Sequence, residues 1–249
     1  MKPDRQRLLA VTLVLGLTGI LSIAAQNGSP PRDRGEFSPP PGSRIPVAFV
    51  VTEGSTVIDF AGPWEAFQDV RVNERGSSRG PEGPFDLYLV GEDKTPVEAS
   101  SGMTLTPRYS FDDAPPPKVV VVGAQRGSPK LLPRLRKVAS DPNTDVVMSV
   151  CTGAYKLARA GLLDGKEATT HHDFYDDFTK EFPSVRLKRG LRFVRSGPHL
   201  FTAGGLTSGV DLALHVVSLY FGEQVAAKTA AYMEYQGTGW RSSNVSTSR

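Results

Sequence analysis

An α/β sandwich around a mainly parallel sheet is the fold class this sequence predicts, and three observations carry it. Solid apolar runs recur at residues 45–51, 85–90, 118–122 and 145–150. Strands covered on both faces read in this way, because neither side of the pleat meets water. Stretches with helical spacing separate these runs, as crossovers between parallel strands require. Finally, the period changes at Cys151. Val146, Val147, Met148 and Val150 precede it as a strand, and Ala154, Leu157, Ala158 and Leu162 follow at helical spacing.

The first strand, 45–51, is followed by Asp59 in the loop after it. Gly62-Pro63 then opens a short helix through Phe67 and Val70, with proline in the first turn, where its missing N–H costs nothing. Residues 71–84 are a polar, Gly-rich connection. The second strand is 85–90, and a short edge strand lies at 103–106. The third buried strand, 118–122, ends at Gly123-Ala124. Ser128-Pro129 caps a helix that Asp141-Pro142 stops near Ser140. Beyond the Cys151 unit, 172–182 reads as an amphipathic helix ended by Pro183. Short strands follow at 185–187, 192–194 and 200–202. Helices at about 207–221 and 224–235 complete the order.

The ends have a different composition. Residues 1–26 carry Lys2, Arg5 and Arg7 before an apolar run from Leu8 to Ile23, with Ser22 and Ala24 as small residues for cleavage. The run is shorter than the ~20 residues of a spanning helix. A cleaved signal peptide is the expectation, giving a periplasmic or extracellular protein, with a membrane tether through residues 8–23 as the alternative. Residues 27–44 (NGSPPRDRGEFSPPPGSR) read as a linker that does not pack. The folded domain spans 45–236, and 237–249 is a polar tail. The net charge of +3 comes with no basic block, so nucleic acid is not an expected partner. A lone cysteine in an exported chain has no internal disulfide partner. It is then either a small buried hydrophobe or a reactive thiol.

In open α/β sheets, function collects beyond the carboxyl ends of the strands. Three of those ends carry Asp59, Gly123-Ala124 and Cys151, which converge if their strands are neighbours. Cys151, with Ser149 and Gly153 two residues to either side, has the shape of a nucleophile elbow. A thiol at the first turn of a helix is expected to titrate well below an ordinary cysteine. The Thr152 N–H and one from Gly123-Ala124 are positioned to hold developing negative charge. Asp59 is suited to exchange a proton with the sulfur; read plainly, it is equally a turn or cap residue. The His171-His172-Asp173 run invites a metal, but adjacent helical residues point roughly 100° apart, and no second ligand cluster completes a set. Gly204-Gly205 before a helix is a weak anion turn. His199 has no partner in sequence, and His215 reads as a core residue.

These segments together resemble a known family. SVCTGAYKLARAGLLDGKEATTHH is similar to the nucleophile region of the ThiJ/PfpI superfamily, the class I glutamine amidotransferase-like proteins. TVIDFAGPWEAF resembles the D-x-x-G-P-x-E segment of its isonitrile hydratase branch. FTAGGLTSGVDLALHVV and AAYMEYQ resemble that branch and the N-terminal domains of AraC-type regulators. The resemblance implies a flavodoxin-like fold, a homodimer, and no metal or organic cofactor. It implies Cys151 as nucleophile, Asp59 as its carboxyl partner, Thr152 as a hydroxyl beside it, and His171 close by. The activity implied is hydration of a small-molecule isonitrile to an N-substituted formamide.

The departures from that pattern are specific. Val122-Gly123-Ala124 stands where the hydratases have Pro-Gly-Gly, and His172 where they have an aromatic. The amidotransferase His-x-Glu pair is absent. Thr152 stands where the protease-like branch has its histidine. The regulator branch carries a helix-turn-helix domain after this one, whereas the sequence here runs from Tyr235 to Arg249. Two other readings use the same residues: a non-catalytic or redox-sensing ligand-binding module, and an amidase or carbonyl-detoxifying enzyme.

Overall fold

The structure is a computed structural model that describes residues 35–72 and 83–241, together with the backbone of 246–247. The expected leader, the first part of the linker and most of the 71–84 connection lie outside the described residues. In chain order the elements begin with β1 (Ile45–Val50), α1 (Val57–Gln68) and β2 (Phe85–Gly91). A small ribbon of β3 (Val97–Glu98) and β4 (Thr104–Leu105) precedes β5 (Tyr109–Ser110), β6 (Val119–Val122) and α2 (Leu131–Ser140). Then come β7 (Val146–Ser149), α3 (Gly153–Arg159), β8 (Glu167–Ala168), a 3-10 turn (His172–Phe174) and α4 (Tyr175–Glu181). The chain closes with β9 (Arg186–Leu187), β10 (Phe193–Arg195), β11 (Leu200–Ala203), α5 (Ser208–Phe221), α6 (Glu223–Tyr232) and β12 (Ser246–Thr247).

The main sheet has the order β12-β10-β11-β7-β6-β1-β2-β5, parallel throughout except where β10 meets β11. The fold is thus the expected α/β sandwich. Its solid apolar runs split residue by residue between two cores. Val47, Phe49, Val121 and Met148 face α1, α5 and α6; Ala48, Val50, Val122 and Val147 face α2 and α3. Both sides of β1, β6 and β7 are dry, which is why no polar alternation marks them in the sequence. Among the described residues no helix is long and apolar enough to cross a membrane.

The register places the site. Val50, Val122 and Ser149 lie level across β1, β6 and β7, which are adjacent strands. The three strand ends that carry the candidate residues are therefore flush neighbours, and the loops leaving them meet.

Four expectations need correction. Helix α1 starts at Val57, so Pro63 lies within it and Asp59 belongs to its first turn. Pro63 lies past the first turn, where its missing N–H removes one bond of the helix, and the residue before it is a glycine with no Cβ to crowd its ring. Ser128 does not cap α2: Lys130 is its N-cap residue, and the buried Ser128 Oγ has no hydrogen-bond partner among the described residues. Residues 35–37 do pack. Gly35 lies against the Leu219 and Tyr220 backbone, the Phe37 N–H donates to Leu219 O, and Glu36 pairs with Arg195. Phe37 supplies an apolar ring to a segment otherwise read as linker, and it stacks near Tyr220 and His199. At the other end Trp240 is buried, its carbonyl 3.2 Å from His215 Nδ1, and Ser246–Thr247 pairs with β10. The polar composition of 237–249 conceals that one anchoring tryptophan.

Candidate active site

Cys151 leaves β7 with a φ of +57°, a conformation uncommon outside glycine. Two loops hold it there. Its N–H donates to Gly204 O at 2.9 Å, and its carbonyl accepts from Thr170 Oγ1 at 3.0 Å. Gly153 starts α3, and a Cβ on it would come within 2.1 Å of Val122 O. Only glycine allows α3 to approach β6 this closely. The S-x-C-x-G spacing thus has a physical cause: the corner is tight because one backbone touches another.

Asp59 is fully buried on the first turn of α1. Its Oδ2 accepts the Ala124 N–H at 2.9 Å, while Oδ1 has no hydrogen-bond partner among the described residues. Gly123 makes room for it, since a Cβ there would lie 2.7 Å from Asp59 Cβ. The Ala124 N–H expected to face a substrate is therefore committed to Asp59. That is a correction to the Gly123-Ala124 expectation, and its cause is the helix start at Val57, which carries the carboxylate inward.

Burial raises the Asp59 carboxyl to about 6, with the Ala124 N–H opposing. Burial likewise pushes the Cys151 thiol up to about 11, and the Asp59 charge adds to the rise. The Thr152 N–H, the Leu206 N–H and the Thr152 hydroxyl act in the other direction by donating to the sulfur. The low thiol pKa expected at a helix start is not found. Helix α3 has seven residues, and desolvation of a thiol only 7% exposed outweighs the donors around it. At rest the pair carries its charge on oxygen and its proton on sulfur.

Leu206 carries no signal in the sequence. Its N–H reaches the thiol because its own φ is +51°, a backbone state that a leucine does not announce. His171 is placed one loop away. A Cβ on Gly205 would strike its ring at 2.3 Å, so Gly205 allows this close packing. His171 Nδ1 accepts the Asp173 N–H at 3.2 Å, and the His171 and His172 rings stack 4.5 Å apart at 23°. The pair lies at a 3-10 turn and not in an α-helix, so the two rings do not splay as expected. Ligand atoms of His171, His172 and Asp173 lie within 4.8 Å of one another.

A model of the DJ-1/PfpI family matches residues 46–219. The chain belongs to the DJ-1/PfpI family. It is similar to isonitrile hydratase of Pseudomonas putida, with 36% identity over 168 residues, 61% of this chain and 71% of that protein. It is also similar to the HTH-type transcriptional regulator CdhR of Pseudomonas aeruginosa, with 30% identity over 190 residues, 73% of this chain. The match covers 52% of that regulator, so the chain spans about half its length. Among solved structures, a THiJ/PfpI family protein from Pseudomonas syringae aligns with a TM-score of 0.60 and 23% identity, covering 88% of this chain and 85% of that one. Oxidized Toxoplasma gondii DJ-1 aligns with a TM-score of 0.61 and 17% identity, covering 78% and 100%. These last two likenesses speak for the flavodoxin-like DJ-1/PfpI fold alone.

Proposed function

We propose that this DJ-1/PfpI protein is a cysteine-dependent hydratase of small molecules, acting on isonitriles. The observation that carries the reading is Asp59: a fully buried carboxylate, held by one N–H, with its other oxygen unpartnered among the described residues and its charge felt by the thiol. A structural carboxylate in that position would be expected to have both oxygens satisfied. The likeness to isonitrile hydratase supports the choice of substrate.

The chemistry depends on where the proton rests. As the Cys151 sulfur bonds to the terminal isonitrile carbon, the thiol proton passes to Asp59, whose pKa near 6 suits a base working close to neutrality. Asp59 then returns that proton to the same carbon, leaving a thioimidate with an S–CH=N linkage. The Thr152 and Leu206 N–H groups and the Thr152 hydroxyl hold the sulfur's charge during the transfer. Water next adds to the thioimidate carbon, the C–S bond breaks, and the sulfur regains a proton. The sum is one isonitrile and one water giving one N-substituted formamide. His171 packs behind the Gly205-Leu206 loop, where it positions the Leu206 N–H.

The test is formamide production from alkyl isonitriles by the wild type and by Cys151→Ala. Formamide from the first and none from the second is the expected outcome; no formamide from either overturns the reading. A second reading, a ligand-binding module without turnover, is favoured by the likeness to a transcriptional regulator. Redox sensing is disfavoured by the raised thiol pKa, since sensing cysteines depend on thiolate. Export through residues 1–26 and homodimerisation complete the proposal. Mass spectrometry of the mature N-terminus and light scattering test them: a start just after Ala24 marks cleavage, an intact Met1 in the membrane fraction marks the tether, an intact Met1 in the soluble cell fraction refutes export, and a monomer refutes the dimer.

A further inference from the structure

A cavity of about 660 Å³ opens along α3 and α4 and reaches Thr152, the residue after the thiol; its volume is within the size range of small-molecule sites. Thr152, whose N–H and hydroxyl donate to the Cys151 sulfur, is also part of its wall. Tyr155 and Phe174 give it aromatic faces, and their rings meet edge to face at 6.4 Å. The charged residues in the wall are mostly paired. Arg159 Nε donates to Glu181 Oε1 at 2.8 Å, and Lys180 Nζ lies 3.9 Å from Asp177 Oδ1.

Lys156 differs from these. It is only 8% exposed, yet no carboxylate among the described residues pairs with it. Its Nζ donates to Arg126 O at 2.8 Å, one bond for an ammonium with three donors. Burying a charge in this way is costly unless something of opposite sign completes it. Burial lowers the Lys156 pKa, the Arg159 charge adds to the drop, and the Glu181 carboxylate, already bound to Arg159, opposes it from a distance. The cavity therefore has an excess of one positive charge, placed on a side chain that is nine-tenths buried.

We propose that this cavity is the subsite for a carboxylate on the small molecule whose reactive carbon meets Cys151, with Lys156 as the group that receives it. The proposal rests on Cys151 as the nucleophile and narrows its substrate to a monoanion with a short apolar body. The one unpaired cation of the wall matches one negative charge, and Asp177 and Glu181 in the same wall oppose a dianion. Tyr155 and Phe174 pack the apolar stretch between carboxylate and reactive carbon.

Maleimides carrying a carboxyalkyl chain, and the neutral methyl esters of the same compounds, test this without any isonitrile. The thiol adds across the ring double bond, its proton ending on the neighbouring carbon, and mass spectrometry reads the rate at Cys151. In wild type, at one chain length, the acid is expected to react about tenfold faster than its ester, as one charge-assisted hydrogen bond allows. In Lys156→Met and Lys156→Gln, with folding checked by circular dichroism, that ratio is expected to fall to about one. Should both variants misfold, free hexanoate is expected to protect wild-type Cys151 from the ester, while hexanamide does not. A wild-type ratio near one at every chain length, a preference that survives in both folded variants, protection by hexanamide equal to that by hexanoate, or no labelling at all overturns the proposal. Formamide assays are read separately: no formamide with the preference intact removes the hydratase reading and leaves the subsite, and formamide without the preference does the reverse.

Discussion

Two clusters of ionisable side chains flank the Gly205-Leu206 loop, and they differ in almost every physical respect. On one side Asp59 and Cys151 are buried, short of partners, and titrate well above their ordinary values. On the other, His172 and Asp173 have side chains about 70% exposed and pair with each other at 3.1 Å. The second cluster is the richer in residue types that suggest chemistry. The first holds the reactive potential, because water is excluded and each proton has few places to go. Residue type proposes a site; desolvation and backbone geometry make one.

Removing the thiol should break this contrast most strongly. Cys151→Ala is expected to lower formamide formation by at least ~10³-fold, as loss of a nucleophile does. Gly153→Ala attacks the corner instead. With a Cβ 2.1 Å from Val122 O, the helix must move off the sheet, and urea denaturation should record a loss of about 3 kcal/mol or more.

Asp59→Asn sharpens the comparison with a sign that ordinary carboxylates do not give. The Asp59 pKa is raised on folding, from 3.8 to about 6, so the native state binds its proton more tightly than the unfolded chain. Ionised Asp59 is then a penalty, absent below about pH 4, growing between 4 and 6, and full above 6. The variant should be the more stable protein at pH 7, by about 2 to 3 kcal/mol, and no more stable than wild type at pH 3.5. Losing the Asp59 charge should also lower the thiol pKa below about 11, while burial keeps it above the ordinary ~8.5. An iodoacetamide rate profile against pH reads that shift, and a profile that moves upward would contradict the pairing. The smallest effect is expected on the exposed side. His172→Ala should change stability by less than about 0.5 kcal/mol, as surface substitutions do. A zinc-induced rise in melting temperature that this variant abolishes would show that the turn binds metal after all.

Much of this arrangement is legible in the sequence, because strands buried on both faces must be solid apolar runs. The period change at Cys151 and the two other strand ends are readable for the same reason. The features that escape reading do so for a different cause in each case. The start of α1 is masked because Pro63 resembles a first-turn proline. The Thr56-x-x-Asp59 spacing, a capping-box pattern, is the signal that points to the earlier start. Leu206 and its N–H are invisible, since nothing in a leucine reports a left-handed backbone. The charge on Lys156 is plain, but its isolation depends on Arg159 finding Glu181 across 22 residues of chain. The anchors at Phe37 and Trp240 are single residues within polar stretches, and composition averages them away.

The close contact between Gly153 and Val122 has a consequence for how such a protein can diversify. The sulfur's position is fixed by main chain against main chain, with no side chain at the junction to be exchanged. Tyr155, Lys156 and Phe174, which line the proposed carboxylate subsite, are ordinary side chains on the helix and turn beyond that corner. The chassis and its fittings are therefore mutable on separate terms. A change of fittings can redirect the molecule to a new ligand, or silence its turnover, without the reactive corner being rebuilt.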